Sequence, residues 1–436
     1  MAMTKDVVVI GAGVIGCAVG YELARRGFRC VNVDRAPTAG YGSTSSSSTI
    51  VRAHYSTRDG VAMAYEGFSY WRHWAEYLET TDAGGLARFV NCGFLSLESH
   101  DDAIGRRVRQ HYLTVGVEHE ILDARQLADR LPFCDLRRFG PPKRPEAPDF
   151  FNEPPVDDRL EGIFTPGAGY INDAQLTAYN LQRAAERLGG QFLFGYEVTD
   201  IVKEGGRTAG VRFADGGVCW APVVVNVAGP HSAAVNRLAG VADTMRVTTR
   251  PMRHEVHVVP SPAGVDFEQA GCPTMDSDLG IYFRPQAGNM IMVGSLDPPC
   301  DPPDWCDDPD RVDHQVTEPQ FQLQVFRLAR RIPALPIPRT PLGVADLYDV
   351  SSDWLPIYDR SDLPGFYMAV GTSGNQFKNA AVAGHLMAEL ISACENGLDH
   401  DGEPLQIRGR FTGQAIDVGF FSRLRDPVAS SSSVMG

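Results

Sequence analysis

The hydrophobic pattern opens with an unbroken β-branched run, Val7-Val8-Val9-Ile10, which reads as a strand buried on both faces. It stops at Gly11-Ala12-Gly13-Val14-Ile15-Gly16. Apolar positions then recur at helical spacing through Val19, Leu23 and Ala24 until Gly27 ends the helix. A second β-rich run, Val31-Asn32-Val33, closes on Asp34 and Arg35. Ala62, Ala64, Phe68, Trp71, Trp74 and Leu78 predict a helix over about 58–80, and the pattern turns strand-like over about 89–97. Asp173 caps a predicted helix through Leu176, Leu181, Ala184, Ala185 and Leu188, which Gly189-Gly190 ends. Strands are expected at 191–194, 198–202 and 210–213, and the run 223–227 is another buried strand, ending at Ala228-Gly229-Pro230. Residues 251–259 alternate as a strand, so His254 and His257 face opposite sides, which argues against a metal pair. Residues 280–285 and 290–294 read as a hairpin. A strand over 365–371, a turn over 372–378 and a helix from Ala380 to Ile391 follow.

The first of these units carries chemistry. Gly11 makes a tight turn, Gly13 lets the backbone approach a pyrophosphate, and Gly16 lets helix pack close on strand. Val14 and Ile15 open a helix whose free N–H groups and positive dipole end suit phosphate. Asp34 stands where an acid accepts the adenosine ribose hydroxyls. Strand, glycine turn, helix, strand and acid in this order predict a dinucleotide site. The motif alone fits NAD and FAD equally. The following Gly42-Ser43-Thr44-Ser45-Ser46-Ser47-Ser48-Thr49 has the composition of a flexible linker. Its small hydroxyl residues also suit close approach to a flavin and its phosphates.

Composition narrows the classes. A chain of 436 residues exceeds what one core usually serves, so two interleaved domains are expected. With 43% hydrophobic and 22% charged residues it reads as an ordinary soluble protein. A net charge of −14 argues against nucleic acid and anionic membrane as partners. Nine scattered cysteines with no CxxC pair suit reduced thiols and a cytoplasmic location. The apolar N-terminus is read as strand and helix, not as a signal peptide, and no run is long enough to span a bilayer. Residues 133–160 are rich in Pro and charge and read as a surface insertion, a lid or an interface.

The glycine motif, the Asp34-Arg35 pair, the small-residue loop and Ile50-Val51-Arg52-Ala53-His54-Tyr55 resemble the D-amino-acid-oxidase-like flavoprotein superfamily. More narrowly they resemble its sarcosine oxidase and dimethylglycine dehydrogenase branch. The turn Gly371-Thr372-Ser373-Gly374-Asn375-Gln376-Phe377-Lys378 is similar to that family's Gly-x-Ser-Gly-x-x-Phe-Lys signature. Here Thr372 replaces a usual aromatic, and Asn375-Gln376 replaces a usual His-Gly. The resemblance implies an α/β fold. Residues 1–85, 160–240 and 343–400 would form a discontinuous Rossmann-type FAD-binding domain, 86–159 and 241–342 a sheet-based substrate domain, and 401–436 a C-terminal tail.

By the same resemblance, Arg52, Tyr55 and Lys378 would hold a substrate carboxylate, and Tyr282 and Tyr348 would belong to an aromatic cage. Gly42, Ser43, Thr44, Ser45, Ser48, Thr49, Val198, Ala228, Gly229 and the Gly374–Lys378 turn would contact FAD. Positions used elsewhere in the family for covalent flavin attachment hold Ser46 and Asp346, so the FAD is expected to be non-covalent. Met292 stands near the place of a lysine that promotes reaction with oxygen, which leaves oxygen, an electron-transfer protein or a quinone as acceptor. The implied activity is hydride transfer from a carboxylate-bearing secondary or tertiary amine to flavin, giving an imine that hydrolyses. Alternatives are a deaminating D-amino-acid or proline- or pipecolate-type dehydrogenase, the flavin subunit of a hetero-oligomer, and an NAD-dependent dehydrogenase.

Overall fold

A computed structural model describes residues 2–80, 85–98, 102–429 and 433–434. Val7–Ile10 lies in a six-stranded sheet ordered 191–194, 30–34, 7–10, 223–226, 366–370 and 357–360. All neighbours are parallel except the last pair. This explains why the inner strands are apolar without alternation: Val7, Val8 and Val9 are fully buried, with helices against one face and a second apolar cluster against the other. The helix Val14–Arg25 packs between Ala174–Arg187 and Ala380–Glu395. Its crossing with the last is close, because a Cβ on Gly384 would lie 2.6 Å from the Ala18 carbonyl oxygen.

A nine-stranded sheet forms the second layer. Its order is 304–305, 249–260, 290–295, 281–286, 274–276, 94–98, 161–165 and 120–122, with 343–351 also paired to 249–260. The expected hairpin is present, with Ile281–Gln286 antiparallel to Met290–Ser295. The helix Glu318–Arg331 covers one face, burying Phe321, Val325 and Leu328 against Phe283, Ile291 and Val293. The fully buried Arg331 is neutralised there by Asp276 at 2.7 Å and Asp278 at 3.0 Å.

Three local outcomes differ from the pattern. The helix expected over 58–80 is Arg58–Arg72 and Trp74–Tyr77, interrupted where His73 leaves helical geometry (φ −109°, ψ 34°). Gly343–Ser351, grouped by sequence with the nucleotide-binding half, pairs along its length with 249–257 of the large sheet. The Pro-rich segment 133–160 is docked, not detached. Phe139 and Phe150 are buried under Arg330, and Arg327 donates to the Lys143 carbonyl. None of its described residues lines the main cavity.

Candidate active site

One continuous cavity of about 1660 Å³ runs along the carboxyl ends of the parallel strands and under the large sheet. At one end is the glycine turn. Gly11 has φ 120°, and a Cβ there would lie 2.3 Å from the Val227 carbonyl oxygen, so only glycine fits. Gly13, Val14, Ile15 and Gly16 line the cavity beyond it. The serine-rich segment is no free linker: the Val14 N–H donates to Thr44 Oγ1 at 3.0 Å, and Ser43 Oγ donates to the Leu347 carbonyl at 2.7 Å. Gly42, Ser43, Thr44, Ser45, Ser48 and Thr49 all line the wall, as do Val198, Ala228 and Gly229.

Asp34 is fixed by backbone donors, Ala12 N–H at 2.7 Å and Ala36 N–H at 2.8 Å. Asp34 also lines the cavity, where its carboxylate could accept from a ribose hydroxyl. Arg35 lines the same end, yet its guanidinium is ion-paired with Asp310 and meets His231 Nε2 at 2.7 Å, while His231 meets Asp310 at 3.0 Å. Asp310 belongs to the Pro/Asp-rich loop between Met290–Ser295 and Glu318–Arg331. That loop therefore reaches from the large sheet across the nucleotide cleft.

The cavity and its backbone cradle fit a dinucleotide with an attached ring system. Gly16 lets the helix close on the turn, since a Cβ there would lie 2.3 Å from the Gly11 carbonyl oxygen, and a Cβ on Gly13 would press on Thr44 Oγ1 at 3.1 Å. Farther along, Ser46 Oγ donates to Asp346 Oδ2 at 2.8 Å, so the two positions compared above for covalent attachment meet in space. Among the described residues no cluster could hold a metal ion, and no helix is long and apolar enough to cross a membrane.

At the far end the wall carries Arg52, Tyr282, Tyr348, Thr372 and the turn Gly374–Lys378. The Gly374 φ of 69° brings its backbone under Tyr348, where a Cβ would sit 2.5 Å from the ring. Tyr282 and Ser48 share a hydrogen bond of 2.8 Å. Lys378 is buried and donates to the Asn375 carbonyl, and Arg52 donates to the His54 carbonyl and to the Val434 carbonyl, the latter at 2.9 Å. Burial, reinforced by the Arg52 charge, holds Lys378 well below the usual lysine range.

Tyr55 departs from the sequence expectation. It is 1% exposed and does not line the cavity. Its ring lies behind the two cations, with Arg52 Cζ at 5.0 Å and Lys378 Nζ at 4.7 Å from the centroid. The reason is its hydroxyl, which is tied to the Asn375 carbonyl at 3.0 Å and to Gln376 Nε2 at 3.2 Å.

Three features escaped the sequence reading. His254 lines the cavity, stacks on Tyr348 at 4.6 Å and 16°, and meets Asp297 at 3.0 Å. Burial works against its charged form, but the Asp297 carboxylate prevails and raises it. The alternation that set His254 opposite His257 was the available signal; His257 does point away, to Gln324 at 2.9 Å. Val434, from a tail with no assigned role, lines the cavity beside Arg52. The Asp310 contact joins residues 275 positions apart, and no local pattern encodes it.

Residues 6–390 match the family model described as DAO, FAD dependent oxidoreductase. The chain is 25% identical over 431 residues to FAD-dependent oxidoreductase domain-containing protein 1 of Bos taurus, covering 89% of this chain and 81% of that protein. It is 24% identical over 419 residues to sarcosine oxidase subunit beta of an Arthrobacter species, covering 94% and 92%. Its fold is that of L-proline dehydrogenase from P. horikoshii, with a TM-score of 0.75, 19% identity, and 97% and 98% of the two chains covered.

Proposed function

Because the chain belongs to the DAO family of FAD-dependent oxidoreductases, we propose that it oxidises the C–N bond of a small amine bearing a carboxylate. The substrate class is a secondary or tertiary amine of the N-methyl amino acid kind. The observation that carries this reading is the pairing of Arg52 with Lys378 on the cavity wall, beside Tyr282 and Tyr348. A buried Arg52 beside a Lys378 held below the usual lysine range calls for an anion, and a carboxylate would supply it while favouring the charged form of Lys378. Proline- or pipecolate-type imino acids satisfy the same geometry and are the second reading, favoured by the solved structure just described.

The FAD would be held by the glycine turn, Asp34, the 42–49 loop, Val198, Ala228-Gly229 and the 374–378 turn, without a covalent bond. Bound there, it supplies a two-electron acceptor for the hydrogen on the carbon next to nitrogen. The protein's own part is to bind and orient. Arg52 and Lys378 grip the carboxylate through charge-assisted hydrogen bonds. The rings of Tyr348 and Tyr282 line the place of the nitrogen and exclude water around it. The amine must lose a proton before oxidation, and water then hydrolyses the imine. Lys378 is the one lysine among the described lining residues, and Met292 is not among them. This favours an electron-transfer protein or quinone over oxygen as acceptor. The nine free cysteines suit a reducing cytoplasm.

The test is anaerobic bleaching of the bound flavin across sarcosine, dimethylglycine, proline, pipecolate and D-amino acids, followed by admission of oxygen. Bleaching by an acid-bearing amine, with slow recovery in oxygen, is expected. A flavoprotein bleached by none of them, or a colourless protein, overturns the reading.

A further inference from the structure

Gln376 replaces the glycine of the signature turn that this chain otherwise resembles, and the structure gives the replacement a task. Its side-chain amide is fully engaged inside the protein. Nε2 donates to the Tyr55 hydroxyl at 3.2 Å and to Asn375 Oδ1. Oε1 accepts from the Tyr358 hydroxyl at 3.1 Å and from Asn379 Nδ2 at 2.8 Å. All five residues are buried, Asn375 the most exposed at 5%. An amide offers two donors and one oxygen with two lone pairs, so the group has no spare capacity. Moving it would orphan several buried polar atoms at once.

What this network fixes is the Tyr55 ring. Arg52 and Lys378 both rest on that ring. The Tyr55 hydroxyl donates toward the Asn375 carbonyl at 3.0 Å and Asn375 Oδ1 at 3.2 Å and accepts from Gln376 Nε2 at 3.2 Å and Asn379 Nδ2 at 3.5 Å. Gln376 also binds both asparagine side chains, so its amide holds the hydroxyl and the groups around it in one arrangement. We propose that Gln376 is a positioning residue of the carboxylate subsite: by locking Tyr55 it sets the spacing of Arg52 and Lys378, and so the preference for acid-bearing over acid-free amines. The proposal rests on the functional reading above and adds the element that tunes its selectivity.

The test uses the FAD-loaded full chain with Gln376→Gly and, as a milder change that removes one hydroxyl from the same network, Tyr358→Phe. Acetate is titrated against the flavin absorbance. Anaerobic flavin reduction is then compared for sarcosine against dimethylamine and for proline against pyrrolidine. The Kd for acetate should rise about tenfold in Gln376→Gly and about threefold in Tyr358→Phe, the scale of one lost hydrogen bond. The acid-to-acid-free ratio of reduction efficiencies should fall by the same factors. In Tyr358→Phe, which lies outside the cavity wall, the reduction rate at saturating acid should change less than about twofold, a split that general loosening of the fold would not give. Unchanged acetate affinity and an unchanged ratio in both variants overturn the proposal. So does loss of flavin from Gln376→Gly with no acetate effect in Tyr358→Phe, because the residue would then serve the cofactor. Should no amine bleach the unmutated protein, the functional reading fails by itself, and the acetate titrations still decide the role of Gln376.

Discussion

Arg52 and Lys378 lie against one aromatic ring, that of Tyr55, at 5.0 and 4.7 Å from its centroid. They reach it from positions 326 residues apart, one from the segment after the serine-rich loop and one from the signature turn. Two guanidinium- and ammonium-bearing chains so close, in a buried setting, place each cation at the other's expense.

A proton should therefore enter with the substrate. Burial and Arg52 hold Lys378 well below its ordinary range, and a bound carboxylate reverses the balance. Above the depressed value, acid binding takes up a proton, and affinity falls as pH rises. Calorimetric titration with acetate in two buffers of different ionisation enthalpy should show net uptake, which Lys378→Met removes. Heats independent of the buffer would contradict it.

Removing either cation should damage recognition more than folding. Charge-assisted hydrogen bonds are worth about 1.5–3 kcal/mol. Arg52→Ala and Lys378→Ala should each lose roughly 10- to 100-fold in kcat/KM for an acid-bearing amine. Activity toward the matching amine without a carboxylate should change far less. Steady-state kinetics on both substrates decides the matter.

The Arg35–Asp310 contact should retain the cofactor. It bridges the two walls of the nucleotide cleft, and both partners are about half exposed. Exposed pairs are worth about 0.2–1 kcal/mol. Asp310→Ala should then release FAD about two- to fivefold faster at low salt, read from the recovery of free-flavin fluorescence after dilution. High salt should bring the unmutated protein to the same rate.

Glu22 should make the glycine-motif helix acid-sensitive. Burial opposes its charge, but His385, Arg25 and Arg26 outweigh burial and lower it to about 2. A carboxyl depressed in the folded state adds stability above its unfolded value near 4.5 and loses it as pH falls toward 2. Glu22→Gln should cost about 2–3 kcal/mol at pH 7, and in denaturant titrations the gap should narrow below about pH 4.5 and close only near pH 2.

Much of the frame was legible because it is local. Val7–Ile10, Gly11–Gly16 and Asp34 encode strand, turn, helix and acid within thirty residues, and each contact they predict is short-range or along one sheet. Arg52, Tyr282, Tyr348 and Lys378 were assigned by resemblance, and the fold gathers all four on one wall. What stayed hidden is long-range. The hydroxyl of Tyr55 turns inward because Gln376 and Asn375 are there to receive it, a contact 320 residues away in sequence. Phe139 and Phe150 are buried by a helix that begins at Glu318, so a polar, Pro-rich composition hid a packed segment.

The strand order 191–194, 30–34, 7–10, 223–226, 366–370 has a consequence for biogenesis. Val7–Ile10 waits for one of its two neighbours until more than two hundred further residues are made, and that neighbour waits for one near residue 370. Such pairings are slow and leave apolar edges uncovered while translation proceeds. No fragment that stops short of residue 378 can own the finished cavity, because Ala228-Gly229 line one end of it and the 374–378 turn the other. Loading of the yellow group would then follow the pairing of 366–370, and a riboflavin-starved cell would accumulate chains vulnerable to proteases.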